Sequence, residues 1–168
     1  MISYYGEEIG MVNNMDITWE QTVDPSGCNC GIDEYNTEPC SRDPERTPMQ
    51  WNDQTNAGFS EAEPWLPVNS NYLTLNVEAQ QAAETSSLKI YQDLVELRKS
   101  DVTFQYGELE TVVIDDVLAF SRMQEDSFYE VFVTAANFGE AETTVDLSQF
   151  SEFLPNGLVI VSSTGSIG

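Results

Sequence analysis

The chain has 168 residues, with 29 Asp+Glu against 6 Lys+Arg and a formal net charge of −23, a surface that repels phosphate backbones and anionic leaflets and so excludes nucleic acid as a partner. Histidine is absent, which excludes a self-contained Ser-His-Asp triad and a histidine zinc site. A hydrophobic fraction of 40%, with 8 Phe, 7 Tyr and 3 Trp, supports a folded core sufficient for one domain or two small ones.

From the start, Met1-Ile2-Ser3-Tyr4-Tyr5 is a short strand-like run ending at Gly6. It has neither the basic start nor the apolar length of a signal peptide, and no stretch of the chain reaches the length of a membrane span. Residues 7–64 are rich in Asn, Asp, Pro and Gly and carry little periodicity. A loop of that length is functional or disordered, and Trp19, Trp51 and Trp65 favour an ordered, functional one.

Within this loop Cys28, Cys30 and Cys40 stand as C-x-C followed by a longer gap, which is not a zinc spacing. A disulfide from Cys40 to either Cys28 or Cys30 is the preferred reading; it implies an oxidising compartment and leaves one thiol over. Three reduced thiols are the alternative. Asp16, Asp24, Asp43 and Asp53 lack the D-x-D-x-D-G spacing of a calcium loop and read as solvated loop acids, so no metal is expected. Then comes Ser41-Arg42-Asp43-Pro44-Glu45-Arg46-Thr47-Pro48-Met49-Gln50-Trp51, where two arginines four apart sit among two prolines. Proline fixes its own φ and disfavours helix in the residue before it, so Asp43 and Thr47 are expected to be extended and Arg46 to sit in a stiffened segment. The guanidinium fork of such an arginine suits a carboxylate or the neighbouring hydroxyls of a sugar.

Residues 85–99 are predicted to form a helix capped by Ser86 or Ser87, with Leu88, Tyr91, Leu94 and Val95 at helical spacing and the Leu88/Tyr91/Val95 stripe as core. Arg98 and Lys99 supply the charge that suits its C-terminus. With Lys89 they are too few for the basic face of a membrane-surface helix. Beyond Asp101 the period changes to two, giving strand candidates at 108–114, 117–123, 129–137, 141–147 and 158–163, separated by Asp-, Asn- and Gly-containing turns. Short strands at this spacing point to an antiparallel sandwich.

Tyr4-Tyr5-Gly6-Glu7-Glu8-Ile9-Gly10-Met11, the 41–51 segment, Ala57-Gly58-Phe59-Ser60, Pro64-Trp65-Leu66-Pro67-Val68-Asn69 and Asn71-Tyr72 through Asn76-Val77 occur in one order. Together they resemble the alpha-glucosidases of the alpha-amylase superfamily, and among them most of all the arthropod maltases. The resemblance implies an α/β plus all-β fold: residues 1–100 as the last βα unit of a TIM (β/α)₈ barrel (eighth strand, long loop, eighth helix), and 101–168 as a truncated C-terminal antiparallel β-sandwich domain. It also implies that the chain is a C-terminal fragment, since the family's three catalytic carboxylates lie on earlier barrel strands.

The function implied is that of a secreted or membrane-anchored, retaining, exo-acting alpha-glucosidase. It hydrolyses terminal alpha-1,4-linked glucose from maltose, sucrose or short oligosaccharides, takes a small carbohydrate as its partner and needs no cofactor; the fragment alone is expected to be inactive. By the same resemblance Arg46 holds the terminal glucose, whereas Arg42 braces the loop. Glu7 and Glu8 are adjacent, and consecutive residues commonly point in different directions, so no catalytic residue is assigned to this chain. Trp51 and Trp65 are expected to pack against the scaffold rather than on a sugar. The alternative function is a non-catalytic interaction module such as the heavy subunit of an amino-acid transporter, and a bare β-sandwich binding module at 101–168 is a third.

Overall fold

The computed structural model describes residues 2–35, 40–124 and 131–150. These group into two units that divide between Tyr91 and Gln92. The first is a succession of tight turns and short helices, because its Gly, Pro, Asn and Asp residues punctuate every run. Gly6 and Gly10, with φ 91° and 69°, bracket a single 3-10 turn at Glu7–Ile9. At Gly6 a side chain is also excluded by space, since a Cβ there would lie 2.6 Å from Met11 Sδ.

Helix α1 (Pro25–Cys30) opens on Asp24, whose carboxylate accepts from the Ser26 N–H at 3.2 Å, with Pro25 at the start of the helix. Helix α2 (Ile32–Tyr35) follows one residue later. Helix α3 (Val77–Ala82) opens on Asn76, which accepts from the Ala79 N–H at 2.8 Å. Helix α4 (Ser87–Ser100) is the predicted helix. Ser86 is its cap, accepting from the Lys89 N–H at 3.2 Å.

The apolar core of the first unit is small: Ile9, Met49 and Leu88, with Met11, Leu75 and Val77 packed against them. Most of the remaining buried side chains are polar, among them Asn14, Thr22, Asp24, Asp43, Thr47, Gln50, Asn69 and Asn76. Buried polar groups are generally paired, and here, with Trp19 Nε1 and Gln50 Oε1 as exceptions, the pairing holds the loop together. Gln80 shows the device: its Nε2 donates to the Ile9 carbonyl at 2.6 Å while its Oε1 accepts from the Leu88 N–H at 2.9 Å, tying the first turn to the start of α4.

In the second unit α4 is followed by α5 (Thr103–Tyr106) and by β1 (Glu108–Ile114), β2 (Val117–Met123) and β3 (Val131–Asn137). The strands form one antiparallel sheet in the order β1-β2-β3, with Ile114 opposite Val117 across the first hairpin and Val117 opposite Asn137 in the second pair. Asp115, at φ 51°, makes the tight connection in the left-handed conformation that Asp tolerates better than most residues. Central β2 buries alternate positions Val117, Ala119 and Ser121. The rings of Phe104 and Phe132 pack at 4.2 Å between centroids.

Two expected strands are absent. Residues 2–5 are extended or turn chain without a ladder, because a strand exists only against a neighbour and none is present among the described residues. Residues 141–147 also form no strand. Asn137 turns the chain on itself there, accepting from the Gly139 N–H and donating to the Ala141 carbonyl, both at 2.8 Å. The candidate at 158–163 and the first two positions of 129–137 lie outside the described residues. One sheet is therefore described, and the second layer of a sandwich is not found among the described residues. No helix among them is long and apolar enough to cross a membrane.

Candidate functional site

Two aspartates fix the first half of the 41–51 segment. Asp43 Oδ2 accepts from the N–H groups of Val23 at 2.7 Å and Asp24 at 2.8 Å. Asp24 in turn takes Arg42 in a bidentate grip, Nε at 3.0 Å and Nη2 at 2.9 Å, and also accepts from the Arg42 backbone N–H at 2.8 Å. The side-chain and backbone hydrogen bonds from Arg42 hold the Asp24 carboxyl well below the usual carboxylate range, with burial opposing them. The same pairing raises the Arg42 guanidinium. Asp24 and Asp43 are 2% and 1% exposed, so the expectation of solvated loop acids fails for both, while Asp16 and Asp53 are exposed as expected.

Asp43 is not extended but begins a 3-10 turn, Asp43–Glu45, closed by the Arg46 N–H on the Asp43 carbonyl at 2.9 Å. The two amide bonds to its carboxylate hold it there against the preference of a residue before proline. Further along, Asn14 N–H donates to the Pro44 carbonyl at 2.9 Å, and Val77 and Glu78 N–H donate to Gln50 and Trp51 carbonyls, each at 3.0 Å. Cys30 is bonded to Cys40, which settles the pairing left open by the sequence, and Cys28 is a free, exposed thiol. Gly27 lets the two segments approach, because a Cβ there would meet Ser41 Cβ at 2.8 Å.

Arg46 is presented differently from Arg42. It is half-buried, and among the described residues its guanidinium makes no hydrogen bond and no ion pair. Its flanking residues Glu45 and Thr47 line a cavity of about 190 Å³ together with Tyr4, Tyr5, Glu7 and Asn13. The Tyr4 and Tyr5 rings lie 4.7 Å apart at 36°. Burial, then the neighbouring Tyr4, pushes the Tyr5 phenol up to about 12, while the Arg46 charge opposes the rise. Glu7 faces this cavity, whereas Glu8 turns back to accept from the Gly6 N–H at 2.7 Å, so the adjacent glutamates do diverge.

Trp51 and Trp65 are 49% and 55% exposed rather than packed away. Both sit beside tight turns; that at Thr55–Gly58 carries Asn56 and Ala57 in left-handed conformations and receives the Trp51 N–H on the Ala57 carbonyl at 2.9 Å. Among the described residues no group of three metal-binding side chains converges. The buried roles of Asp24 and Asp43 were missed from the sequence, yet Asp24 immediately precedes the proline that starts α1, which is the sequence signal of an N-terminal cap; Asp43, the first residue of its own turn, carries no such signal.

Residues 1–107 match the family described as alpha amylase, catalytic domain. The chain is 44% identical over 95% of its length to Maltase 1 of Drosophila virilis and 40% identical over 99% to the salivary alpha-glucosidase of Aedes aegypti, covering 25% and 28% of those proteins. It is 34% identical over 98% of its length to the amino acid transporter heavy chain SLC3A1 of Homo sapiens, covering 22% of it. A mutant of the trehalulose synthase MutB, solved in complex with the substrate sucrose, superposes with a TM-score of 0.68 at 29% identity, over 79% of this chain and 26% of that one. The chain thus spans about a quarter of the length of the curated relatives it matches. With its opening turn, its braced arginine segment and most of its length inside the matched region, the chain belongs to the alpha-amylase family and carries part of its catalytic domain.

Proposed function

We propose that this chain serves as the C-terminal portion of a retaining, exo-acting alpha-glucosidase that removes terminal glucose from maltose, sucrose or short oligosaccharides. Arg46 is its sugar contact and Arg42 the brace of the loop that presents it. The observation that carries this reading is the contrast between the two arginines. Arg42 is spent on Asp24, while Arg46, in the same segment, has its guanidinium unpaired among the described residues, and its neighbours Glu45 and Thr47 line a cavity of about 190 Å³. A planar donor fork held open in this way suits vicinal hydroxyls of a pyranose.

The catalytic carboxylates are supplied from outside this chain, residues 1–100 close the barrel, and the strand-bearing part from residue 101 belongs to a C-terminal antiparallel β-sandwich. The Cys30–Cys40 disulfide and the salivary relative support secretion. The transporter heavy chain supports the alternative of a non-catalytic module, but at 34% identity against 44% for the maltase it is the weaker reading.

The test is a chimaera in which this chain replaces the matching quarter of the Drosophila virilis maltase. It is expected to release glucose from maltose, while the 168 residues alone release none. Arg46→Ala is expected to lower kcat/KM by about a hundredfold, the scale of a lost charged hydrogen bond. A folded but inactive chimaera, or kcat/KM indifferent to Arg46→Ala, overturns the reading.

A further inference from the structure

We propose that Tyr5 is a positioning residue for Arg46: its phenol clamps the Thr47 carbonyl and so fixes the backbone that carries the arginine. The link to sugar binding rests on the reading of Arg46 given above; the positional link does not. Tyr5 O–H donates to the Thr47 carbonyl at 2.9 Å across 42 positions of sequence. Among the described residues no other hydrogen bond reaches the backbone of Thr47, Pro48 or Met49. The anchors on either side lie at Arg46 itself, whose N–H donates to the Asp43 carbonyl at 2.9 Å, and at Gln50, bonded by Val77. The Tyr5 bond falls on the residue directly after Arg46 and holds the C-terminal side of its peptide unit.

Thr47 is buried, so its carbonyl has little access to water in place of the phenol, and losing the donor strands an acceptor. The Tyr5 ring is itself held against Tyr4 and forms part of the same cavity wall. A phenol is a suitable strut here because its O–H stays protonated well above neutral pH and so remains a donor throughout the working range.

The test uses the full 168-residue chain, labelled with ¹⁵N-arginine, as wild type and Tyr5→Phe. Phenylalanine keeps the ring and its packing and removes only the donor. Arg42, held by Asp24, is the internal reference. In Tyr5→Phe the Arg46 backbone N–H signal is expected to shift and to lose its heteronuclear NOE, while the Arg42 signal is unchanged. An unchanged Arg46 signal overturns the proposal, and so does simultaneous collapse of the Arg42 and Arg46 signals, which marks Tyr5 as a general structural residue.

In the maltase chimaera, Tyr5→Phe is expected to raise KM for maltose about tenfold with kcat within about twofold, as expected for weakened substrate holding. Arg46 mobilised in the free chain, with no change of KM on Arg46→Ala, retains the strut and rejects the sugar contact. The two readings therefore fail separately.

Discussion

Replacing Asp43 tests whether a buried carboxylate, rather than the apolar core, holds the arginine segment in place. Asp43 is 1% exposed, and one of its oxygens receives the N–H groups of Val23 at 2.7 Å and Asp24 at 2.8 Å. Asp43→Ala strands both amides. Each orphaned donor costs about 1–3 kcal/mol, and because Val23 is half-exposed water can compensate part of its loss, so about 3 kcal/mol is expected in total. Asp43→Asn keeps a carbonyl oxygen in the same place and loses only the charge assistance, so about 1 kcal/mol is expected. Urea unfolding followed by tryptophan fluorescence measures both values, and amide exchange at Val23 and Asp24 localises them. A loss below about 1 kcal/mol for Asp43→Ala, or both amides remaining as protected as in the wild type, would refute the carboxylate clip.

The Cys30–Cys40 bond closes a span of 10 residues, for which chain entropy gives about 2.7 kcal/mol; Cys30→Ser or reduction should lower the unfolding midpoint accordingly, and thiol titration of the native chain should find Cys28 alone reactive. Ser86→Ala should cost about 1 kcal/mol and reduce helical circular dichroism, whereas Ser87→Ala should cost little, because Ser86 Oγ is the acceptor for the Lys89 N–H. Asp24 has a folded-state value depressed below the ordinary 3.8, so its contribution is present above pH 3.8 and is lost as pH falls below it. Acid unfolding of Asp24→Asn should consequently begin from a less stable protein but slope less steeply below pH 4 than the wild type, and equal slopes would contradict the Arg42 pairing.

The parts of the fold that could be read from the sequence are those whose signals are local. The hairpin of β1 and β2 has alternation on both sides of Asp115-Asp116, and its bounds agree with the expectation. Helix α4 likewise carries its own cap and terminal cations, and of its Leu88/Tyr91/Val95 stripe Leu88 is buried and the other two are half-buried. Residues 141–147 alternate equally well, yet alternation only prepares a strand, and the Asn137 side chain diverts the chain into a turn before it can pair. The burial of Asp24 and Asp43 could not be read, because each is satisfied by amides and a guanidinium on another segment, 18 to 20 positions away. Local sequence offered only the Asp24-Pro25 cap. Tyr5 offered nothing, since its partner carbonyl stands 42 positions away.

Among the described residues the guanidinium groups of Arg42, Arg98 and Arg122 each donate to a protein acceptor, and that of Arg46 does not, a contrast that needs a cause. Glu45 is adjacent in sequence and exposed, and would be a partner if the segment were free to fold onto itself. The backbone prevents it. The Glu45 N–H is tied to the Arg42 carbonyl at 3.3 Å and the Arg46 N–H to the Asp43 carbonyl at 2.9 Å, so successive side chains leave a tight turn in different directions. Had Arg46 been paired with a carboxylate, a neutral sugar would need to displace that stronger acceptor before it could bind. On the proposed reading an unpaired guanidinium avoids that competition, and the amides on Asp43 and the phenol on Thr47 fix in advance the backbone that carries it.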